Sequence, residues 1–140
     1  MPERAVHASC VDWQGAGVLI VGPSGSGKSA LALQLMGLGA SLVSDDQVLV
    51  SVEDGQLVAR APATIMGLVE ARGVGILRAE PVGQTRLVLA VNLEMSEQDR
   101  LPVMHHYDLC NHTLPCLHRV DAPHVAAAIL QVLKAGRHAP

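Results

Sequence analysis

The run Val18 to Met36, VLIVGPSGSGKSALALQLM, constrains this chain more than any other stretch. A continuous β-branched segment, residues 17–22, reads as a buried central strand. It enters a Gly/Ser-rich turn, and the turn opens an Ala/Leu-rich helix read over Ser29 to Leu38, stopped by Gly37 and Gly39. A strand, a tight glycine turn and a helix in that order leave backbone amides pointing at one place. That place suits an anion.

The turn itself, Gly22-Pro23-Ser24-Gly25-Ser26-Gly27-Lys28-Ser29, matches G-x-x-x-x-G-K-[ST]. Its glycines permit the backbone angles that gather amides around a phosphate. The helix N-terminus adds partial positive charge. Lys28 is placed to reach the β- and γ-phosphates, and the Ser29 hydroxyl to bind Mg²⁺. A random chain of this length would contain the pattern about once in two hundred. Here it also has the strand and helix it requires, so a nucleotide phosphate is the expected ligand.

Composition narrows the setting. The chain has 140 residues, enough for one domain with one core. Hydrophobic residues make up 49%, yet there is no Phe, one Trp and one Tyr, so the core must be aliphatic. With a formal charge of −3 and almost no aromatics, the chain offers neither a basic surface nor a stacking platform for nucleic acid. Its apolar segments fall short of the roughly 20 residues a spanning helix needs, and the N-terminus lacks a secretory apolar region. An odd count of three cysteines fits a reducing compartment, so a cytoplasmic protein with no membrane contact is expected.

Further along, 6–13 reads as a short strand, and 41–44 as a second strand ending at Asp45-Asp46. Residues 47–62 read as a hairpin turning at Glu53-Asp54-Gly55. Residues 63–73 are ambiguous between a short helix and a turn. Strands follow at 73–79 and 85–94, with a polar loop over 95–102. Two short strands with a turn near Asn111 precede a terminal helix closed by Gly136. Many strands and few helices exclude a regular doubly wound sheet. The expectation is a single α/β domain over 1–140, a mixed sheet with one main helix behind the phosphate loop.

Asp45 and Asp46 lie just past a strand's carboxyl end, where α/β sheets bind ligands. One carboxylate there suits Mg²⁺ or its water, and the other suits proton acceptance from a hydroxyl nucleophile. The stretch Glu70-Ala71-Arg72-Gly73-Val74-Gly75-Ile76 suits a metal site or phosphate clamp, though by itself it reads slightly better as a surface ion pair on a β turn. His7 and Arg100 taken singly read as ordinary exposed residues; Arg100 gains interest if its loop folds over a γ-phosphate. His105, His106, Cys110, His112, Cys116 and His118 crowd one region, but their spacings fit no standard zinc pairing. They read as polar strand faces and buried thiols.

Taken together, the motifs resemble the catalytic domain of the bacterial HPr kinase/phosphorylase family, from about His7 to Leu101. His7 precedes the phosphate loop at the family's spacing, GASLVSDDQV is similar to the family strand ending in a double aspartate, EARGVGI is similar to E-I-R-G-x-G-I with Ala71 at the branched position, and QDRLP is similar to the segment holding a catalytic arginine. The resemblance implies a phosphate-loop fold like that of phosphoenolpyruvate carboxykinase. It also implies transfer from ATP, with Mg²⁺, to a serine of the phosphocarrier protein HPr of the sugar phosphotransferase system. On it, Asp45 is the proton acceptor, Lys28 holds the transferring phosphate, Ser29 and Glu70 bind Mg²⁺, His7 and Arg100 complete the site, and Asp46, Arg72, Gly73 and Gly75 support it.

The family's N-terminal domain has no counterpart in the sequence, so the regulation it confers is expected to be absent. Where the family has a basic Gly-Arg-Asn loop tied to dephosphorylation stands HRVDAPH, so the forward direction alone is expected. The resemblance also implies a homo-oligomer, often a hexamer, with contacts from VHASCVDW or the last helix. Two rival readings remain open: an ATP-binding regulatory module that transfers nothing, and a carboxykinase-like kinase of a small molecule.

Overall fold

The computed structural model describes residues 3–138. The strands are β1 (Arg4–Val6), β2 (Ala8–Trp13), β3 (Ala16–Val21), β4 (Ser41–Ser44), β5 (Val48–Glu53), β6 (Gln56–Arg60), β7 (Leu68–Ala71), β8 (Gly75–Arg78), β9 (Thr85–Ser96), β10 (His105–Leu109) and β11 (His112–Arg119). The helices are α1 (Lys28–Gly37) and α2 (Val125–Ala135). Nine strands form one mixed sheet in the order β1-β5-β6-β9-β3-β2-β4, with β11 and then β10 added beside β9, and β7 and β8 form a separate hairpin. This is the mixed α/β architecture expected from the sequence.

The sheet curls because β9 serves two neighbours on one edge. Its start pairs antiparallel with β6 at Thr85 and Arg86, and its later half pairs parallel with β11 from Ala90 to Ser96. Its other edge pairs parallel with β3. Period-2 alternation then sorts the core into two layers. Leu19, Val21, Leu87 and Ala90 face a cluster closed by β5, β6, β10 and β11, while Val18, Ile20, Leu89 and Val91 face the helices. Against the second layer α1 packs Leu31, Ala32 and Leu35, and α2 packs Ala126, Ile129 and Leu130. Burying Leu35 and Ile129 stabilises by roughly 1.5–3 kcal/mol each. The core is aliphatic, as a chain without Phe requires.

Three details differ from the sequence expectation. The ambiguous 63–73 stretch is a single 3-10 turn, Ala63–Ile65, followed by strand β7. A short apolar run carries too few residues to distinguish helix from strand by period, and pairing with β8 settles it. Strand β9 runs to Ser96, into what reads as a polar loop, because β11 supplies its partner there. Strand β2 lies between β3 and β4, so the VHASCVDW segment presents little free edge for a subunit contact. Among the described residues, no helix is long and apolar enough to cross a membrane.

Candidate functional site

The phosphate loop joins β3 to α1 at the carboxyl end of the central strands. Gly22 has φ 152°, and a Cβ there would lie 2.6 Å from the Ser26 Oγ, so only glycine fits. Gly27, at φ 99°, turns the chain directly into α1. Lys28 is buried, and its ammonium donates to the carbonyls of Gly22 (2.9 Å) and Pro23 (3.0 Å). The loop is thus folded onto its own lysine. The Ser26 Oγ is buried with no hydrogen-bond partner among the described residues. A buried hydroxyl without a partner inside a glycine-rich turn is a donor that the oxygen of an anion would satisfy.

Asp45, at the end of β4, is the hub of the site. Its carboxylate accepts from the Ser29 hydroxyl (2.8 and 3.0 Å), the buried Ser9 hydroxyl (2.6 Å) and the Glu70 amide (3.0 Å). Donors from three separate elements thus satisfy a buried carboxyl group without a salt bridge. Ser29 and Asp45 therefore come together, a hydroxyl beside a carboxylate that suits Mg²⁺. Glu70 reaches this point through its backbone amide, and its side chain is exposed.

Asp46 differs sharply from its neighbour. It sits at φ 73°, its side chain is 82% exposed, and its carboxylate lies 3.4 Å from His7 Nε2. Asp tolerates left-handed backbone better than most residues. The bend after β4 thus turns one aspartate into the protein and the next toward solvent.

The remaining sequence candidates lie further out. Arg72, Gly73 and Gly75 occupy the tip of the β7–β8 hairpin, whose root at Glu70 touches Asp45. Arg100 is exposed in the loop after β9. It lines a cavity of about 940 Å³ between the β9–β11 edge and α2. Among the described residues, the arginine that bonds the phosphate loop is Arg119 instead.

Two functional contacts escaped the sequence reading. Ser9 had no signal beyond its place in a strand. Arg119, within the HRVDAPH segment, donates to the Ser26 carbonyl (2.9 Å) and to Asp121 (2.9 Å), strapping β11 to the phosphate loop. Behind the loop, burial and then Asp12 push the Cys10 thiol far above its ordinary pKa, which makes it an inert wall residue.

The His/Cys crowd separates in space. Cys116 is buried, with its thiol pKa raised by burial, and His112 bonds the carbonyls of Cys110 and Gly55. His105 and His118 instead stack on each other beside Glu97. The Asp99 amide, and then the His105 ring, hold the Glu97 carboxyl below its ordinary pKa.

Comparison with known proteins agrees with this geometry. Residues 1–113 match the HPr Serine kinase C-terminal domain. The chain is 41% identical over 107 residues to the HPr kinase/phosphorylase of Bacillus subtilis, covering 71% of this chain and 34% of that protein. It is 47% identical over 76 residues to that of Clostridium beijerinckii, covering 54% and 25%. The chain thus spans about a quarter to a third of the curated relatives it matches. The Hpr(Ser) kinase/phosphatase from Coxiella burnetii shares the fold, with a TM-score of 0.80 over 94% of this chain and 88% of that one, at 23% identity. With the family model matched across its phosphate loop, double aspartate and EARGVGI hairpin, this chain belongs to the HPr serine kinase C-terminal domain family.

Proposed function

We propose that this chain is the catalytic domain of an ATP- and Mg²⁺-dependent protein serine kinase acting on an HPr-like phosphocarrier protein, in the forward direction. The observation that carries the reading is the contrast within the aspartate pair: Asp45 closes on Ser29, and Asp46 is exposed to solvent beside His7.

That contrast supports a division of labour. Bound Mg²⁺ would be held by Ser29, Asp45 and Glu70, and supplies charge neutralisation on the transferring phosphoryl group. Lys28 exchanges the carbonyls of Gly22 and Pro23 for phosphate oxygens, and the Ser26 hydroxyl gains a partner. The acceptor serine approaches from the solvent side, where Asp46 is exposed. As its oxygen bonds to the γ-phosphorus and the bridge to ADP breaks, its proton passes to Asp46, with His7 orienting that carboxylate. The resemblance assigns the base to Asp45, but that carboxylate is buried and turned onto Ser9, Ser29 and the Glu70 amide, whereas Asp46 faces the solvent side from which the acceptor comes. Arg100 is the candidate for neutralising transferred charge once its loop closes over the site.

The test uses labelled ATP and an HPr-like acceptor. Asn also tolerates left-handed backbone, so Asp46→Asn should fold normally. It should retain nucleotide binding within about twofold and lose transfer by on the order of 10²–10⁴. Asp45→Asn should weaken Mg²⁺-dependent nucleotide binding itself. Normal transfer by Asp46→Asn returns the base to Asp45. A wild-type chain that binds ATP yet labels no HPr overturns the protein-kinase reading and leaves the regulatory module or a small-molecule acceptor.

A further inference from the structure

We propose that Glu97, His105 and His118 form a binding site for one divalent transition-metal ion of the zinc type, and that the ion clamps the loop carrying Arg100. The three candidate ligand atoms, one carboxylate oxygen and two ring nitrogens, all lie within 4.8 Å of one another. Glu97 Oε1 is 2.8 Å from His105 Nε2. The His105 and His118 rings stack with centroids 3.6 Å apart and planes 1° from parallel. They come from three separate places: just past β9, the first residue of β10, and the end of β11.

The backbone holds this convergence in place. The Glu97 amide donates to the Arg119 carbonyl at 2.9 Å, which fixes the end of β9 against the end of β11. His105 pairs in register with Cys116, two residues before His118, so the two rings are diagonal neighbours on adjoining strands. The side chains are partly withdrawn from water, at 28% exposure for His105 and 11% for Glu97. Glu97 and His118 also line the 940 Å³ cavity, which leaves an open side to the cluster.

Two imidazoles and one carboxylate with an open position are a zinc-type donor set, not the all-oxygen set preferred by Mg²⁺ or Ca²⁺. Bonds of about 2.0–2.2 Å require the three atoms to draw together and the parallel rings to splay, because each nitrogen lone pair lies in its ring plane. Partly exposed side chains at strand ends can make that adjustment. Three guanidiniums share the cavity with Glu97: Arg119 bonds Asp121 and the Ser26 carbonyl, Arg137 bonds the Pro102 carbonyl, and Arg100 makes no ion pair with Glu97 among the described residues. The ion-pair partner of Glu97 among the described residues is His105.

The consequence is local. Glu97 and His105 are the two ends of the segment containing Arg100, and His118 precedes the arginine that straps the phosphate loop. An ion held by all three ties off the 98–104 loop at its base. Ordering that loop reduces the number of positions Arg100 samples. The site itself does not depend on the kinase reading.

Metal binding by the chelator-treated chain tests this directly. Calorimetry with Zn²⁺, and Co²⁺ titration followed by visible absorption, should show one equivalent bound, unaffected by Mg²⁺. Loss of an outer-shell partner already costs about 10–100-fold in affinity, so His118→Ala, His105→Ala and Glu97→Gln should each lose at least about tenfold. His106→Ala, at the exposed neighbouring position, should bind like wild type. Amide hydrogen exchange over 98–104 should slow when Zn²⁺ is added. Circular dichroism checks each variant's fold, and the near-isosteric Glu97→Gln carries the test if a histidine variant does not fold. No saturable binding by wild type, or equal binding by Glu97→Gln, overturns the site. Binding with unchanged exchange over 98–104 overturns the clamp.

Discussion

The wall of the site formed by the phosphate loop and Asp45 and the rim formed by the β7–β8 hairpin come from the same chain but are built on opposite principles. In the wall, Lys28, Ser9 and Asp45 are buried, and their polar atoms are bonded to one another or to the loop. At the rim, Val74 and Ile76 are 77% and 63% exposed, and the hairpin's two strands pair only with each other. On the proposed reading, Lys28 changes partners when nucleotide binds, and the buried bonds around Asp45 keep the rest of the wall in place during transfer. The rim has apolar side chains in water and, among the described residues, no second strand beside either of its own, although β7 buries Val69 and packs on α1. Two apolar side chains exposed together at one hairpin make it the candidate surface for the acceptor on that reading. On the proposed reading, the donor half of the reaction is finished inside the chain, and the acceptor half is completed by the phosphocarrier.

The sharpest way to break this contrast is to remove the hub of the wall. Asp45→Ala leaves the buried Ser9 hydroxyl, the Ser29 hydroxyl and the Glu70 amide without their acceptor. A stranded buried group costs about 1–3 kcal/mol. Only Ser9 is fully buried, while Ser29 and Glu70 are partly open to water and add less. The expected loss is about 2–3 kcal/mol in urea unfolding, together with loss of Mg²⁺-dependent nucleotide binding. A variant as stable as wild type would show that the wall is not held together through Asp45.

A smaller effect is expected at the glycine that makes the loop possible. Gly22→Ala puts a methyl 2.6 Å from the Ser26 Oγ at a left-handed φ. Both the strain and the clash act on the loop, so about 1–2 kcal/mol of stability should be lost. Nucleotide binding should weaken in parallel, because the orphaned Ser26 hydroxyl is the atom displaced. Unaltered binding by equilibrium titration would mean that the loop opens at this point when phosphate enters.

The wall was far more legible in the sequence than the rim. The phosphate loop is local: eight consecutive residues between a strand and a helix carry both its geometry and its chemistry. β4 was readable with its residue bounds, and the β5–β6 hairpin from Asp54-Gly55. What escaped depends on long-range pairing. Ser9 meets Asp45 only because β2 and β4 are neighbours, and Arg119 meets Ser26 only because β11 lies beside β9. The opposite orientations of Asp45 and Asp46 rest on one positive φ, which two identical letters do not reveal. Similarly, the Cys/His crowd fits no zinc pairing along the chain, whereas the cluster that meets in space draws its carboxylate from Glu97.

The smallest structural effect should come from the rim, and there stability and function should separate. Val74→Ser and Ile76→Ser remove apolar groups that are already in water, so stability should stay within about 0.5 kcal/mol of wild type. ATP binding should change little, because both side chains stand in solvent, although Ile76 pairs across the hairpin from Glu70, whose amide bonds Asp45. Transfer to an HPr-like acceptor should nevertheless fall, through a raised KM for that protein with kcat nearly preserved, since docking on the rim stabilises the ground and transition states equally. If the double variant kept its KM for the acceptor, the exposed pair would not be the docking rim. If instead it unfolded in milder denaturant, the hairpin would belong to the wall's packing after all, and the contrast between the two halves would fail from the other side.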